Sequence, residues 1–215
     1  MGHVLPMRKI LVGLKLLKAN SFTLVELLVV ISIIGLLAGM AVPAIQGGLD
    51  KAKQGVDVAN ARQLGIMFFS EANDNNGTYR VNGDLTNTSP ATSFTTLVQG
   101  MFSNGTLTTA KILSGQGATP ATSTSTVTKA NIAFGYVPNL TTSDDGQIPL
   151  IITKGPLSLA QSNIVMQDTY PWKKKGLVVY RVGNSAEFIK SGMSGAPVGS
   201  ANIGITNSNA VMQPL

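Results

Sequence analysis

Residues 27–49 contain no charged side chain, and residues 22–45 are apolar almost throughout. A helix rises about 1.5 Å per residue and needs about 20 such positions to cross the hydrocarbon core of a bilayer. A run this long and apolar on every side is not the surface helix of a soluble domain. One carboxylate, Glu26, stands at its head. A charge at membrane depth costs about 2.5–3.5 kcal/mol on insertion scales, so an acid kept there points to a function. Gly35 and Gly39 form a small-xxx-small pair that allows close helix approach, although glycine is common in spanning helices without that role. Pro43 removes one helical hydrogen bond and disfavours helix at Val42. With Gly35, Gly39, Gly47 and Gly48 it marks the most easily bent or melted part of the run.

The pattern then changes. Leu49, Ala52, Val56, Ala59, Leu64, Met67, Phe68 and Ala72 recur at mostly three- and four-residue spacing, which predicts an amphipathic continuation of the helix. Asp50, Lys51, Lys53, Asp57 and Arg62 fall mainly off that stripe. Lys53 is spaced to pair with Asp50 or Asp57 at the surface, each pair being worth about 0.2–0.5 kcal/mol. Asn73-Asp74-Asn75-Asn76-Gly77 ends the helix, Gly77 supplying a left-handed cap. Residues 78–129 are rich in Thr, Ser, Asn and Gly. Within them 93–102 is a candidate short helix, 107–113 a second turn, and 115–127 a low-complexity loop. Residues 131–138 read as a strand, with Ile132, Phe134 and Tyr136 on one face, and 148–153 as another. Residues 177–182 and 185–189 form the clearest hairpin, joined by Gly183-Asn184 as a two-residue turn that tolerates positive φ at both positions. Residues 191–215 read as a loose tail, with 203–205 able to dock.

Charge sharpens this division. The chain has 215 residues, 16 Lys and Arg, 10 Asp and Glu, and a formal charge of +6. Four of the bases, Arg8, Lys9, Lys15 and Lys18, precede Phe22 and all the acids follow it, so twelve bases meet ten acids beyond that point. The basic pI is therefore largely a property of the N-terminal segment and is weak support for nucleic-acid binding. Bases ahead of an apolar span place residues 1–21 in the cytoplasm and the C-terminal part outside the inner membrane, in a periplasm. An ordinary secretory signal is the competing explanation. Its apolar core is shorter, about 7–15 residues, and carries no acid.

Lys18-Ala19-Asn20-Ser21-Phe22-Thr23-Leu24-Val25-Glu26-Leu27-Leu28-Val29-Val30-Ile31 resembles the N-terminus of type IV pilins and of the pseudopilins of type II secretion. The resemblance covers residues 18–76 and is most specific over 22–45. It implies that a prepilin peptidase removes residues 1–21 by cutting between Ser21 and Phe22, and that the new amine of Phe22 is N-methylated. Glu26 is then the fifth residue, as in the family, and Pro43 falls where the family has a proline. Ser21 departs from the usual Gly; a small residue is compatible with cleavage at a slower rate. The implied fold is α+β and pilin-like: a long N-terminal helix, membrane-spanning in its first half (22–48), amphipathic over 49–76, packed on a small antiparallel sheet within 77–190. The implied function is as a structural subunit of a type II secretion pseudopilus or type IV pilus-like filament. Its partners would be other pilin-like subunits, the peptidase, an inner-membrane assembly platform and the lipid bilayer, with no nucleic acid. Glu26 is expected to pair with the methylated amine of Phe22 on a neighbouring subunit, since both charges need partners in a low-dielectric core. A carboxylate snorkelling to the headgroups is the alternative.

The remaining chemistry is thin. There is no Cys, and the single His is His3, ahead of the junction, so Ser-His-Asp, Cys-His and His-metal chemistry have no residues to use beyond it. No cofactor is expected. Asp144-Asp145-Gly146 is either a polar turn or, as in many major pseudopilins, part of a calcium loop, although calcium takes six to eight oxygens and two adjacent acids supply few of them. Trp172-Lys173-Lys174-Lys175 is either a solvated loop or a contact for nucleic acid or acidic partners. The rival to a filament subunit is a non-polymerising, membrane-anchored periplasmic binding module that contacts ligand through residues 78–129.

Overall fold

The computed structural model describes residues 22–79, 94–137, 140–154, 163–192 and 200–202. The chain forms two units, residues 1–46 and 47–215. Helix α1, Leu24–Asp74, contributes to both.

In the first unit every described side chain is exposed, including Phe22, Leu28, Ile31, Ile34 and Leu37. Within the apolar run Ser32 turns its hydroxyl back to the carbonyl of Leu28 at 2.7 Å, so it carries no unmet donor along the helix face. Pro43 lies inside α1 and does not end it. α1 is long and apolar enough to cross a membrane, and its most apolar stretch is not buried within the chain.

In the second unit α1 buries Asp57, Ala61, Leu64, Gly65, Phe68 and Ala72. The spacing is three or four residues, so the positions share one helical face. That face meets a four-stranded antiparallel sheet of β1 (Phe134–Tyr136), β2 (Pro149–Thr153), β4 (Gly176–Arg181) and β5 (Ala186–Lys190), in the spatial order β1-β2-β4-β5. β2 and β4 are buried along their whole length, as expected of central strands. Phe68 stacks on Tyr136 with ring centroids 4.8 Å apart. Gly65 lets the Tyr180 ring approach the helix so closely that a Cβ there would stand 2.2 Å from it. A shorter helix, α2 (Phe94–Ser103), adds Leu97, Val98 and Met101 to the same core. The result is the expected α+β architecture, a long N-terminal helix with a small antiparallel sheet.

α1 stops as Asn75 and Gly77 both donate to the carbonyl of Ala72, at 3.0 and 2.8 Å, with Asn76 and Gly77 in the left-handed region (φ 54° and 76°). The chain is then tied to the 140–142 segment by Tyr79 N–H to Leu140 O, 3.0 Å, and Thr142 N–H to Gly77 O, 2.7 Å.

Four local expectations change. Leu49, Ala52, Val56 and Ala59 are exposed, and the buried face instead runs back from Phe68 through Leu64 and Ala61 to Asp57. The strand expected over 131–138 is shorter: Lys129–Asn131 is a 3-10 turn closed by Asn131 Oδ1, which accepts from the Thr128 amide and hydroxyl at 2.9 and 2.8 Å. Pro138 lies outside the described residues. The β4–β5 connection is not a two-residue turn. Asn184 N–H donates to Arg181 O and Arg181 N–H to Ser185 O, both at 2.9 Å, and only Asn184 has a positive φ, 64°. This is the three-residue loop in which a type I turn is followed by a left-handed residue. Finally, within the stretch read as a loose tail, β6 (Ser200–Asn202) pairs antiparallel with β3 (Asn163–Val165). Residues 203–205 lie outside the described residues.

Candidate functional site

Phe22 and Glu26 flank the start of α1. Phe22 is exposed and precedes the helix, and Ser21, with the rest of 1–21, lies outside the described residues. Thr23 occupies the cap position. Its amide and its hydroxyl both donate to Glu26 Oε2 at 2.8 Å, and its hydroxyl accepts from the Glu26 amide at 3.2 Å. This is a reciprocal capping box, in which two helix-end donors find side-chain oxygens. Every atom of it comes from Thr23 and Glu26, so a cut between Ser21 and Phe22 leaves it intact. Glu26 Oε2 is occupied within the chain; Oε1 is the oxygen left to meet a second group. Threonine three residues ahead of a glutamate, at the head of an apolar run, is a capping signal readable in the sequence, beside the assembly role expected of Glu26.

A second cluster joins α1 to the domain. Asp57, expected at the surface, is buried. Its Oδ2 accepts from Trp172 Nε1 at 2.9 Å, and the Gln116 amide donates to both carboxylate oxygens at 3.1 and 3.2 Å. One turn on, Asn60 Nδ2 donates to Ser114 O at 2.9 Å. Gly115 passes so close that a Cβ would stand 2.6 Å from Asp57 Oδ1. Burial pushes the Asp57 carboxyl above its ordinary value, and the bonds from Gln116 and Trp172 oppose that shift. Trp172, far from a solvated loop residue, is buried and meets Phe188 edge-on with centroids 5.4 Å apart. The following lysines are exposed. Lys175 pairs with Asp50, holding that carboxyl below its ordinary range, and Lys174 pairs with Asp168 at 3.1 Å. Asp50 is therefore bound to Lys175 rather than to the helix neighbour Lys53 that spacing suggested.

Asp144 and Asp145 serve their own turns. Asp144 Oδ2 accepts from the Thr141 amide and hydroxyl at 2.6 and 3.1 Å, and Asp145 Oδ1 from the Gln147 amide at 2.8 Å. The carbonyl of Gln147 takes the Arg181 guanidinium at 2.6 Å, which brings a cation to the same loop. Among the described residues no three of His, Cys, Asp and Glu converge. Both acids thus close polar turns.

Residues 17–42 match the prokaryotic N-terminal methylation motif, the signature of type IV pilins and pseudopilins. The motif supports a type IV pilin-like precursor processed by prepilin peptidase, with subunit assembly to follow. With the apolar helix, it fits a single-pass inner-membrane anchor. No curated protein and no solved structure matches the chain.

Proposed function

We propose that this chain is a structural subunit of a type II secretion pseudopilus or type IV pilus-like filament. The observation that carries this is the coincidence of the methylation motif with a helix whose apolar side chains are all exposed over residues 24–46. Such a surface is costly in water, at about 25 cal/mol per Å² of apolar area, and needs a bilayer first and neighbouring helices later. Residues 1–21 act as the leader, facing the cytoplasm, and the domain after residue 48 lies in the periplasm. The peptidase cuts between Ser21 and Phe22 and methylates the Phe22 amine. The freed ammonium then pairs with a Glu26 carboxylate on an adjacent subunit as helices bundle, which removes two charges from the list of unpartnered groups in an apolar core. The role is assembly, with no catalytic step.

Intact mass and N-terminal sequencing of the protein from membranes, with and without active prepilin peptidase, test this. A methylated Phe22 at the N-terminus, dependent on the peptidase, is the expected result. A chain that keeps residues 1–21 in both strains would make it a signal-anchored domain instead, and an N-terminus near Val42 would make it a secreted soluble protein.

A further inference from the structure

The uncharged run ends at Leu49, and the first charged side chains after it, Asp50 and Lys51, line a cavity of about 490 Å³ together with Lys174, Lys175, Lys190 and the half-buried Phe188. Four lysines thus face one carboxylate. Asp50 is held by Lys175. Lys174 reaches Asp168 at 3.1 Å, but both partners are well exposed, and such a pair is worth at most about 1 kcal/mol, so Lys174 is readily exchanged to another anion. Lys51 and Lys190 make no ion pair among the described residues. Gly47 also lines the cavity, which puts its wall within about one helical turn, 5.4 Å, of the last uncharged residue.

We propose that this cavity holds the phosphate of an anionic phospholipid headgroup, taken from the leaflet in which the uncharged run ends. The inference rests on the membrane anchor proposed above. Clustered lysines beside a membrane segment attract anionic lipid at about 1 kcal/mol per lysine. Lipid phosphates are confined to the plane where a span ends, which is where chain continuity puts Lys51. Phe188 adds an apolar wall suited to the glycerol and first acyl carbons, a contact that inorganic phosphate has no use for. In this state the lysines would hold the subunit at a fixed depth before assembly, and leaving the bilayer would require giving the headgroup up.

The test uses the full chain in nanodiscs of phosphatidylcholine alone or with phosphatidylglycerol, followed by native mass spectrometry of the lipids that stay bound on release into detergent. Wild type is expected to retain phosphatidylglycerol in preference to phosphatidylcholine. The double variant Lys51→Gln/Lys190→Gln should lose about thirtyfold in that preference, the equivalent of about 1 kcal/mol for each lysine. Both lysines are exposed, and an unchanged thermal unfolding curve checks that the variant is folded. Raising salt on the wild type gives a second reading with no substitution, and should weaken retention. Insertion into phosphatidylcholine discs without any lipid preference would overturn the proposal and leave the anchor standing. Failure to insert at all would overturn both. Displacement of the lipid by millimolar inorganic phosphate would make this a free-anion site, and an effect of the variant confined to self-association would assign the lysines to an acidic face of another copy.

Discussion

Two stretches of one helix meet opposite fates. Residues 24–46 expose every side chain, apolar or not, while from Asp57 to Ala72 one face is sealed against the sheet. The outer stretch, residues 57–72, satisfies its hydrophobic face inside its own chain, through the buried Leu64, the Phe68 ring stacked on Tyr136 and the close approach of Tyr180 to Gly65. The inner stretch, residues 24–46, exposes its apolar side chains on every side and has no partner within residues 22–46 to take them. The difference teaches that length and apolarity do not say what a helix packs on. A stripe at helical spacing can be met by one domain; apolar residues on all sides require a surrounding medium or several neighbouring helices.

The strongest break in this comparison is a matched pair of truncations. Phe68→Ala removes a fully buried ring and should lower the unfolding free energy of the domain by about 3–5 kcal/mol. Leu37→Ala removes a side chain that is 61% exposed and should leave it within about 0.5 kcal/mol. Denaturant unfolding of the full chain in detergent, followed by the fluorescence of Trp172, the chain's one tryptophan, reads both. Equal losses in the two variants would mean that the inner stretch is also stabilised by the domain.

Much of this contrast was legible in the sequence because its causes are local. An unbroken apolar run, a Gly-capped stop and the β4–β5 hairpin are each written within a few residues. The face of the outer stretch was legible only in part. Leu64, Phe68 and Ala72 lie on the predicted stripe, but that stripe begins with Leu49, Ala52, Val56 and Ala59, which are apolar, and leaves out Asp57, which is not. Stepping back from Phe68 by helical turns leads to Leu64, Ala61 and Asp57, so the geometry was available; the residue type argued against it. What overturns residue type is Trp172, 115 positions away, whose indole N–H needs an acceptor once the ring is buried. Sequence periodicity has no term for a partner at that separation. The basic residues after Trp172 pointed to a solvated loop for the same reason: the lysines are exposed, as expected, and the tryptophan beside them is not.

The latch between Asp57 and Trp172 sharpens the comparison at its boundary, with a smaller effect. Trp172→Phe keeps an aromatic ring near Phe188 but removes the donor to a buried carboxylate, and should cost about 1.5–3 kcal/mol. Its pH dependence has a definite sign. The folded state raises the Asp57 carboxyl above its unfolded 3.8, chiefly by burial. Below 3.8 both states hold the proton and burial of the group is tolerated. As pH rises, the unfolded chain releases its proton first, and stability falls until the folded carboxyl has ionised as well. Relative to Asp57→Asn, whose amide oxygen can still accept from Trp172 and Gln116, the wild type should therefore be more stable in acid than at neutral pH. Trp172→Phe removes a bond that favours the ionised form and should carry that fall to higher pH. Unfolding curves for the three proteins across pH 3–8, followed by circular dichroism because Trp172→Phe leaves no tryptophan, measure this; parallel curves would show that Asp57 ionises in the folded protein as freely as in the unfolded one.

The smallest effect on the fold is expected at Glu26, where two explanations of one residue separate. The carboxylate closes a capping box with Thr23, and the proposed assembly also needs its charge for the Phe22 ammonium of a neighbour. Glutamine can accept the same two bonds, since a capping box takes Glu or Gln, but it carries no charge. Leucine does neither. If the cap is the whole role, Glu26→Gln should assemble like wild type, and only Glu26→Leu should fray, seen as faster hydrogen exchange at the amides of Leu24–Glu26. If the charge is what the neighbour reads, both variants should be cleaved and methylated yet fail to enter filaments, with exchange at the helix start unchanged in Glu26→Gln. Processing, assembly and exchange measured on the same two variants thus divide a role met within the chain from one that needs a second copy. That is the same division which separates the outer stretch of α1 from the inner.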